Sequence, residues 1–226
     1  MARLSKRNKA ALEQLPPEKT YTLAEAIAMI EKFPKTKFDE TVEMHFALRI
    51  NAKATDQVVR GTVGLPHGLG KAVRVAVFCK GEMEQKAREV GADYVGANEL
   101  IAKVEQGFMD FDVVVASPDM MRDLSKLGKI LGPRGLMPTP KAGTVTTDIE
   151  KAIREVKAGK IEFKADKQGG IHVGIGKRSF PKEKILDNAQ VVLDAINNAK
   201  PASVKGAFIK SFSISTTMGP GLKVNA

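Results

Sequence analysis

From its N-terminal end, the chain first shows a helix start signal and then a change of period. Thr22 and Glu25 have the spacing of a capping box ahead of an apolar-periodic stretch, and Pro34 stops that stretch, so the pattern predicts a helix over Thr22–Phe33. From Thr41 to Ile50 the period becomes two. Val42, Met44, Phe46, Leu48 and Ile50 point one way and Glu43, His45 and Arg49 the other, which predicts a strand with one buried face. Between Gly64 and Gly70, three glycines and a proline in seven residues punctuate the chain. Beyond them, apolar runs without alternation (Val73–Cys79, a short Tyr94–Val95, Phe111–Ala116) interleave with helical stretches near Glu82–Val90, Asn98–Gln106 and Asp119–Ile130. Continuous apolar strands alternating with helices indicate a parallel sheet covered on both faces.

After the irregular run Leu131–Gly143, Thr147 and Glu150 read as a second capping box, opening a helix that closes at Gly159. Mixed strands return at Lys160–Ala165 and Ile171–Ile175, followed by a long helix near Pro181–Ala199, a strand over Gly206–Thr216 and a short tail. No internal repeat interrupts this order. The pattern predicts an α/β chain of two domains: a discontinuous α+β terminal domain built from 1–66 and 160–226, and an inserted Rossmann-like three-layer α/β domain over 67–159. Gly64, Pro66 and Gly68 at one crossing and Gly159 at the other are the expected double hinge, with a rigid pair of turns as the alternative.

Charge narrows the function. The 226 residues carry a net charge of +10, which favours a polyanionic partner. Residues 1–66 hold 11 basic against 8 acidic side chains, 67–159 hold 14 against 13, and 160–226 hold 11 against 5. The excess therefore sits on the two ends that the topology brings together. No apolar run approaches the roughly 20 residues needed to cross a bilayer. The basic start (Arg3, Lys6, Arg7, Lys9) leads into no signal-type stretch, so a cytoplasmic protein is expected. A membrane-surface reading would need residues 1–14 as an amphipathic basic helix; packing on the terminal domain or contacting RNA are the other roles for that segment.

The sequence carries no recognisable enzyme motif. No phosphate-cradling G-x-x-x-x-G-K-[ST] or G-x-G-x-x-G run follows a strand, and no G-x-S-x-G elbow exists. His45, His67 and His172 are far apart in the chain and match no metal-ligand spacing. His45 and His172 are expected as strand residues and His67 as a hinge residue. Cys79, the single cysteine, can form no internal disulfide or zinc site, and its apolar run predicts a buried, inert thiol. No cofactor, no metal and no catalytic residue are expected. The rival reading is an enzyme of phosphate-bearing small molecules with an interdomain active site and Leu131–Gly143 as its lid.

Two segments carry the chemistry of RNA contact. In Lys37–Thr41 a cation, an aromatic ring (Phe38), carboxylates including Glu40 and the Thr41 hydroxyl lie within five residues. The C-terminal strand alternates Phe212 and Ile214 with Ser211, Ser213 and Ser215, then abandons alternation at Thr216–Gly219. Hydroxyls such as Ser211 and Thr217 can bond phosphate and ribose 2′-OH groups, the Met218 thioether can pack on a base or sugar, and Gly219 would admit a close backbone approach. The plain alternatives are a core Phe38 and an ordinary strand end with a Gly-Pro turn. With 5% aromatic residues, recognition of folded RNA through backbone and shape is favoured over a single-strand stacking platform.

The runs Lys37-Phe-Asp-Glu-Thr-Val-Glu43, Arg60-Gly-Thr-Val-Gly-Leu-Pro-His-Gly-Leu-Gly-Lys71, Gly91-Ala-Asp-Tyr-Val-Gly96, Leu131-Gly-Pro-Arg-Gly-Leu-Met-Pro138 and Thr216-Thr-Met-Gly-Pro220 closely resemble the bacterial large-subunit ribosomal protein L-one family, and the likeness runs in order over essentially the whole chain. The resemblance implies a non-enzymatic ribosomal protein, monomeric when free, that binds a large-subunit ribosomal RNA stalk helix. It further implies help in moving exit-site tRNA out of the ribosome and repression of translation through its own mRNA leader. Carried over residue by residue, the RNA contacts fall on Lys37, Phe38, Glu40 and Thr41 in one segment and on Ser211, Thr217, Met218 and Gly219 in the other.

Overall fold

A computed structural model describes residues 5–16, 19–51 and 54–225; Arg3 of the basic start lies outside them. In chain order the elements are α1 (Lys6–Glu13), α2 (Leu23–Lys32), β1 (Thr41–Leu48), β2 (Arg60–Gly64), β3 (Val75–Phe78), α3 (Glu82–Glu89), β4 (Tyr94–Gly96), α4 (Asn98–Glu105), β5 (Val113–Ala116), the short α5 (Met121–Leu124) and α6 (Gly128–Leu131), α7 (Ile149–Ala158), β6 (Lys160–Lys164), β7 (Gly170–Lys177), α8 (Lys182–Asn198), β8 (Ile209–Thr216) and β9 (Leu222–Val224). They form a mixed α/β chain in two compact units, Met1–Gly70 with Glu162–Ala226, and Lys71–Ile161.

The first unit is built on a four-stranded sheet in the order β7-β1-β8-β9, with every neighbour antiparallel. The alternation read along β1 is its cause: Val42, Met44, Phe46 and Leu48 are buried, while the residues between them face out. Ile171, Val173 and Ile175 from β7 and Phe212 and Ile214 from β8 share the buried side, where Phe46 stacks on Phe212 with ring centroids 5.3 Å apart. α2 and α8 pack against this sheet, presenting Ala26, Ile27 and Ile30 and Ile185, Ala189, Val192 and Ile196. α2 begins as its sequence predicts: Thr22 Oγ1 accepts from Glu25 N, and Glu25 Oε2 accepts from Thr22 N. On α8 the fully buried Asn188 pins the glycine-rich segment, accepting from His67 N and donating to the Gly68 and Ile175 carbonyls.

The second unit holds three parallel strands in the order β4-β3-β5. Successive residues of β3 point into different cores, which is why that strand is apolar throughout. Ala76 and Phe78 join Leu100, Val104, Met120 and Leu124 on one face, and Val75 and Val77 join Ala87, Ile153 and Val156 on the other. Cys79 is buried, and desolvation pushes its thiol up to about 11, so it is protonated and inert at neutral pH. Leu136 and Met137 also pack on this core and Pro138 and Ala142 are buried, which ties much of the Leu131–Gly143 run to its own unit.

Three expectations change. The helix expected over Asp119–Ile130 is broken into α5 and α6 by a 3-10 turn at Ser125–Leu127. Ser125 Oγ donates to the Met121 carbonyl at 2.8 Å, a back-bond of the kind that bends helices. α7 is capped by Asp148, whose Oδ1 accepts from Lys151 N at 3.1 Å, and not by a Thr147–Glu150 box. Aspartate outranks threonine at that position. The expected short tail contains β9, whose Leu222 and Val224 are buried on either side of an exposed Lys223. α7 does close at Gly159, where φ of +108° is a conformation that favours glycine.

Candidate nucleic-acid interface

β1 and β8 run side by side, so the residues that precede β1 meet those that come after β8. Thr217 N donates to the Thr41 carbonyl at 3.0 Å, and Thr41 N donates back to Thr217 Oγ1 at 3.0 Å. Thr41 Oγ1 accepts from Lys177 Nζ at 2.9 Å, adding the end of β7 to the same corner.

Glu40 holds this corner together from inside. It is 2% exposed, and its carboxylate accepts from Arg178 Nη1 at 2.7 Å, from Met218 N at 3.1 Å and from Thr216 Oγ1 at 3.3 Å. Arg178 also donates to the Ile30, Phe33 and Pro34 carbonyls, satisfying the end of α2, while its own backbone N–H donates to the Glu40 carbonyl at 2.8 Å. One buried ion pair thereby fixes α2, the segment before β1 and the segment after β8. Glu40 was expected to face RNA; with its oxygens occupied inside the protein it positions the residues that do face solvent. Gly219 is similar. A methyl group there would collide with Thr216 Oγ1, so the glycine is required by a contact within the chain.

The outward parts of the corner are of different chemistry. Phe38 is 54% exposed and Met218 48%, two of the few large apolar side chains left in solvent. Lys37 is exposed beside Phe38, Asp39 is tied to the Ser179 N–H and hydroxyl, and Arg7 of α1 reaches the Met218 carbonyl at 3.5 Å. Apolar faces with a cation and exposed hydroxyls around them fit sugar, base and phosphate together.

Ser211 stands apart. It lies five residues up β8 from Thr216, about 17 Å at a strand rise of about 3.4 Å per residue. It shares the open outer face of the sheet with Ser213, Ser215, Glu43, His45 and, from β7, His172. Those two histidines, far apart in the chain, are directly opposite in the β1–β7 register, with Nδ1 atoms 2.8 Å apart. Thr216, Lys177 and Arg178 were also missed by sequence reading. Lys177 and Arg178 sit at a strand end among other basic residues, and only the meeting of three distant segments gives them their roles.

The hinge candidates divide as well. Gly64 ends β2 and Pro66 is exposed, whereas Gly68 (φ +62°) and Gly159 take left-handed conformations. Among the described residues no helix is long and apolar enough to cross a membrane, and no group of three or more His, Cys, Asp or Glu side chains could hold a metal ion.

Residues 30–220 match the model of the ribosomal protein L1p/L10e family. Over its full length the chain is 56% identical to the large ribosomal subunit protein uL1 of Protochlamydia amoebophila, covering 95% of that protein. It is 53% identical to the proteins of the same name from Solidesulfovibrio magneticus, of which it covers 96%, and Thermus thermophilus, of which it covers 99%. The chain belongs to the ribosomal protein L1p/L10e family, whose members are structural constituents of the ribosome and not enzymes.

Proposed function

We propose that the unit formed by the two chain ends grips a large-subunit ribosomal RNA stalk helix through Lys37, Phe38 and Thr41 on one side and Thr217 and Met218 on the other. Glu40, Arg178 and Gly219 hold those groups in place, and Ser211 extends the footprint along β8. The observation that carries this reading is the reciprocal hydrogen bonding of Thr41 with Thr217 above a buried Glu40, which turns two segments 176 residues apart into one surface with an exposed aromatic ring and an exposed thioether. As a monomer in the cytoplasmic large subunit, the protein would form the mobile stalk, assist exit-site tRNA release, and bind its own mRNA leader on the same surface to repress translation.

In this proposal the inserted Rossmann-like three-layer domain expected over 67–159, whose compact unit is Lys71–Ile161, swings about the two crossings. Because Asn188 bonds His67 and Gly68 to α8, and His67 Nε2 lies 3.0 Å from Asp187, the first pivot falls beyond Gly68 rather than at Gly64 or Pro66. Gly159 serves the second crossing.

The test is a salt titration of the full chain against a stalk ribosomal RNA fragment. The logarithm of affinity should fall against log salt by about 0.7–0.9 for each phosphate neutralised, and Lys37→Met should flatten the slope by about one such unit. Affinity indifferent to salt would defeat the electrostatic part of the proposal.

A further inference from the structure

The outer face of the first unit's sheet holds a side-chain cluster with no part in positioning the two RNA segments. His45 on β1 and His172 on β7 are register partners, and their Nδ1 atoms face each other at 2.8 Å. At that distance two N–H groups cannot face each other, so without a further ligand one ring donates to the other. The outer nitrogen of His45 is hydrogen-bonded, and two carboxylates stand further off. His45 Nε2 lies 2.9 Å from Ser215 Oγ and 3.9 Å from Glu43 Oε2, and His172 Nε2 lies 3.9 Å from Asp166 Oδ2. Both imidazoles are open to solvent, with side-chain exposures of 29% and 62%.

We infer that His45 and His172 form a two-imidazole chelate for a divalent transition-metal ion of tetragonal preference, Cu2+ or Ni2+, bound through the two Nδ1 atoms with water completing its sphere. The pair is already close enough to chelate: two metal–nitrogen bonds of about 2.0–2.1 Å at a right angle need nitrogens about 2.9 Å apart, and imidazole ligands in a tetragonal sphere are what Cu2+ and Ni2+ prefer. On His45 the outer contact supplies what a ligating histidine needs, a hydroxyl on the other ring nitrogen that fixes the tautomer, while the Glu43 and Asp166 carboxylates stand at ion-pair distance. In the ligated pair both protons sit on Nε2. The proton shared between the Nδ1 atoms moves to the Nε2 of its own ring, and the neutral pair loses none.

The local charge also suits a cation. Glu43 and Asp166 face the pair from β1 and from the turn before β7, opposed by Lys223 of β9, which lines the same recess.

The chain has only three histidines, so each can be tested singly. Tag-free full-length protein is titrated with CuCl2 by calorimetry, alongside H45Q, H172Q and H67Q. Wild type and H67Q should bind one ion with equal affinity, and H45Q and H172Q should each bind at least tenfold more weakly. Electron paramagnetic resonance of the wild-type complex should show coupling to two imidazole nitrogens, a readout that does not depend on how the variants fold. Unchanged affinity in H45Q or H172Q, loss of binding in H67Q, or a spectrum with one imidazole would overturn the assignment.

Discussion

Glu40 and Arg178 show how a single pair of residues turns chain topology into a surface. Their side chains are 2% and 8% exposed, and a buried charge left without its partner is costly. Arg178→Met should therefore destabilise the first unit by about 3–5 kcal/mol in urea unfolding, and Glu40→Leu added to it should recover part of the loss, because the stranded carboxylate is then gone. Strictly additive losses would remove the pair from its central position. Phe38 and Met218 are the opposite kind of residue, exposed at a cost and held by neighbours rather than holding them. Sequence composition marked Lys37–Thr41 and Thr216–Gly219 as unusual, yet it could not separate Glu40, which faces inward, from Phe38, which faces out. That distinction depends on Arg178, which lies 138 residues from Glu40 in the chain.

At the level of elements, local chemistry was readable wherever the deciding contact is local. The Thr22–Glu25 box and the strict alternation of β1 are short-range signals, and both are present as expected. Thr147 and Glu150 have the same spacing, but Asp148 is a better cap one position later, and Thr146 Oγ1 accepts from its N–H at 3.1 Å. The two assignments separate experimentally. Asp148→Ala should cost about 1 kcal/mol of second-unit stability, whereas Thr147→Ala should stay within about 0.5 kcal/mol. β9 was not legible because three residues carry too little alternation to stand out; its existence depends on pairing with β8. The His45–His172 pair was invisible for the same reason, since it exists only through the β1–β7 register.

At the scale of the whole molecule, the excess charge lies on the unit proposed to hold RNA, while the 71–161 unit is nearly neutral, with 15 basic against 13 acidic side chains, some of them paired. Asp112 is the clearest case: Lys71, with help from the Arg74 backbone and side chain, holds its carboxyl down at about 2. A carboxyl depressed from 3.8 contributes stability that is complete above about pH 4 and lost as the pH falls towards 2. Wild type should be more stable than Asp112→Asn at pH 7, with the difference vanishing near pH 2 in acid unfolding curves. The central claim, that the two chain ends make one RNA-binding surface, is tested most directly by measuring the affinity of full-length Phe38→Ala and Met218→Ala for a stalk ribosomal RNA fragment, with the unfolding midpoint of each recorded alongside. The account predicts that both variants bind more weakly, Phe38→Ala by about 1–3 kcal/mol, at unchanged stability; wild-type affinity in either one would contradict it.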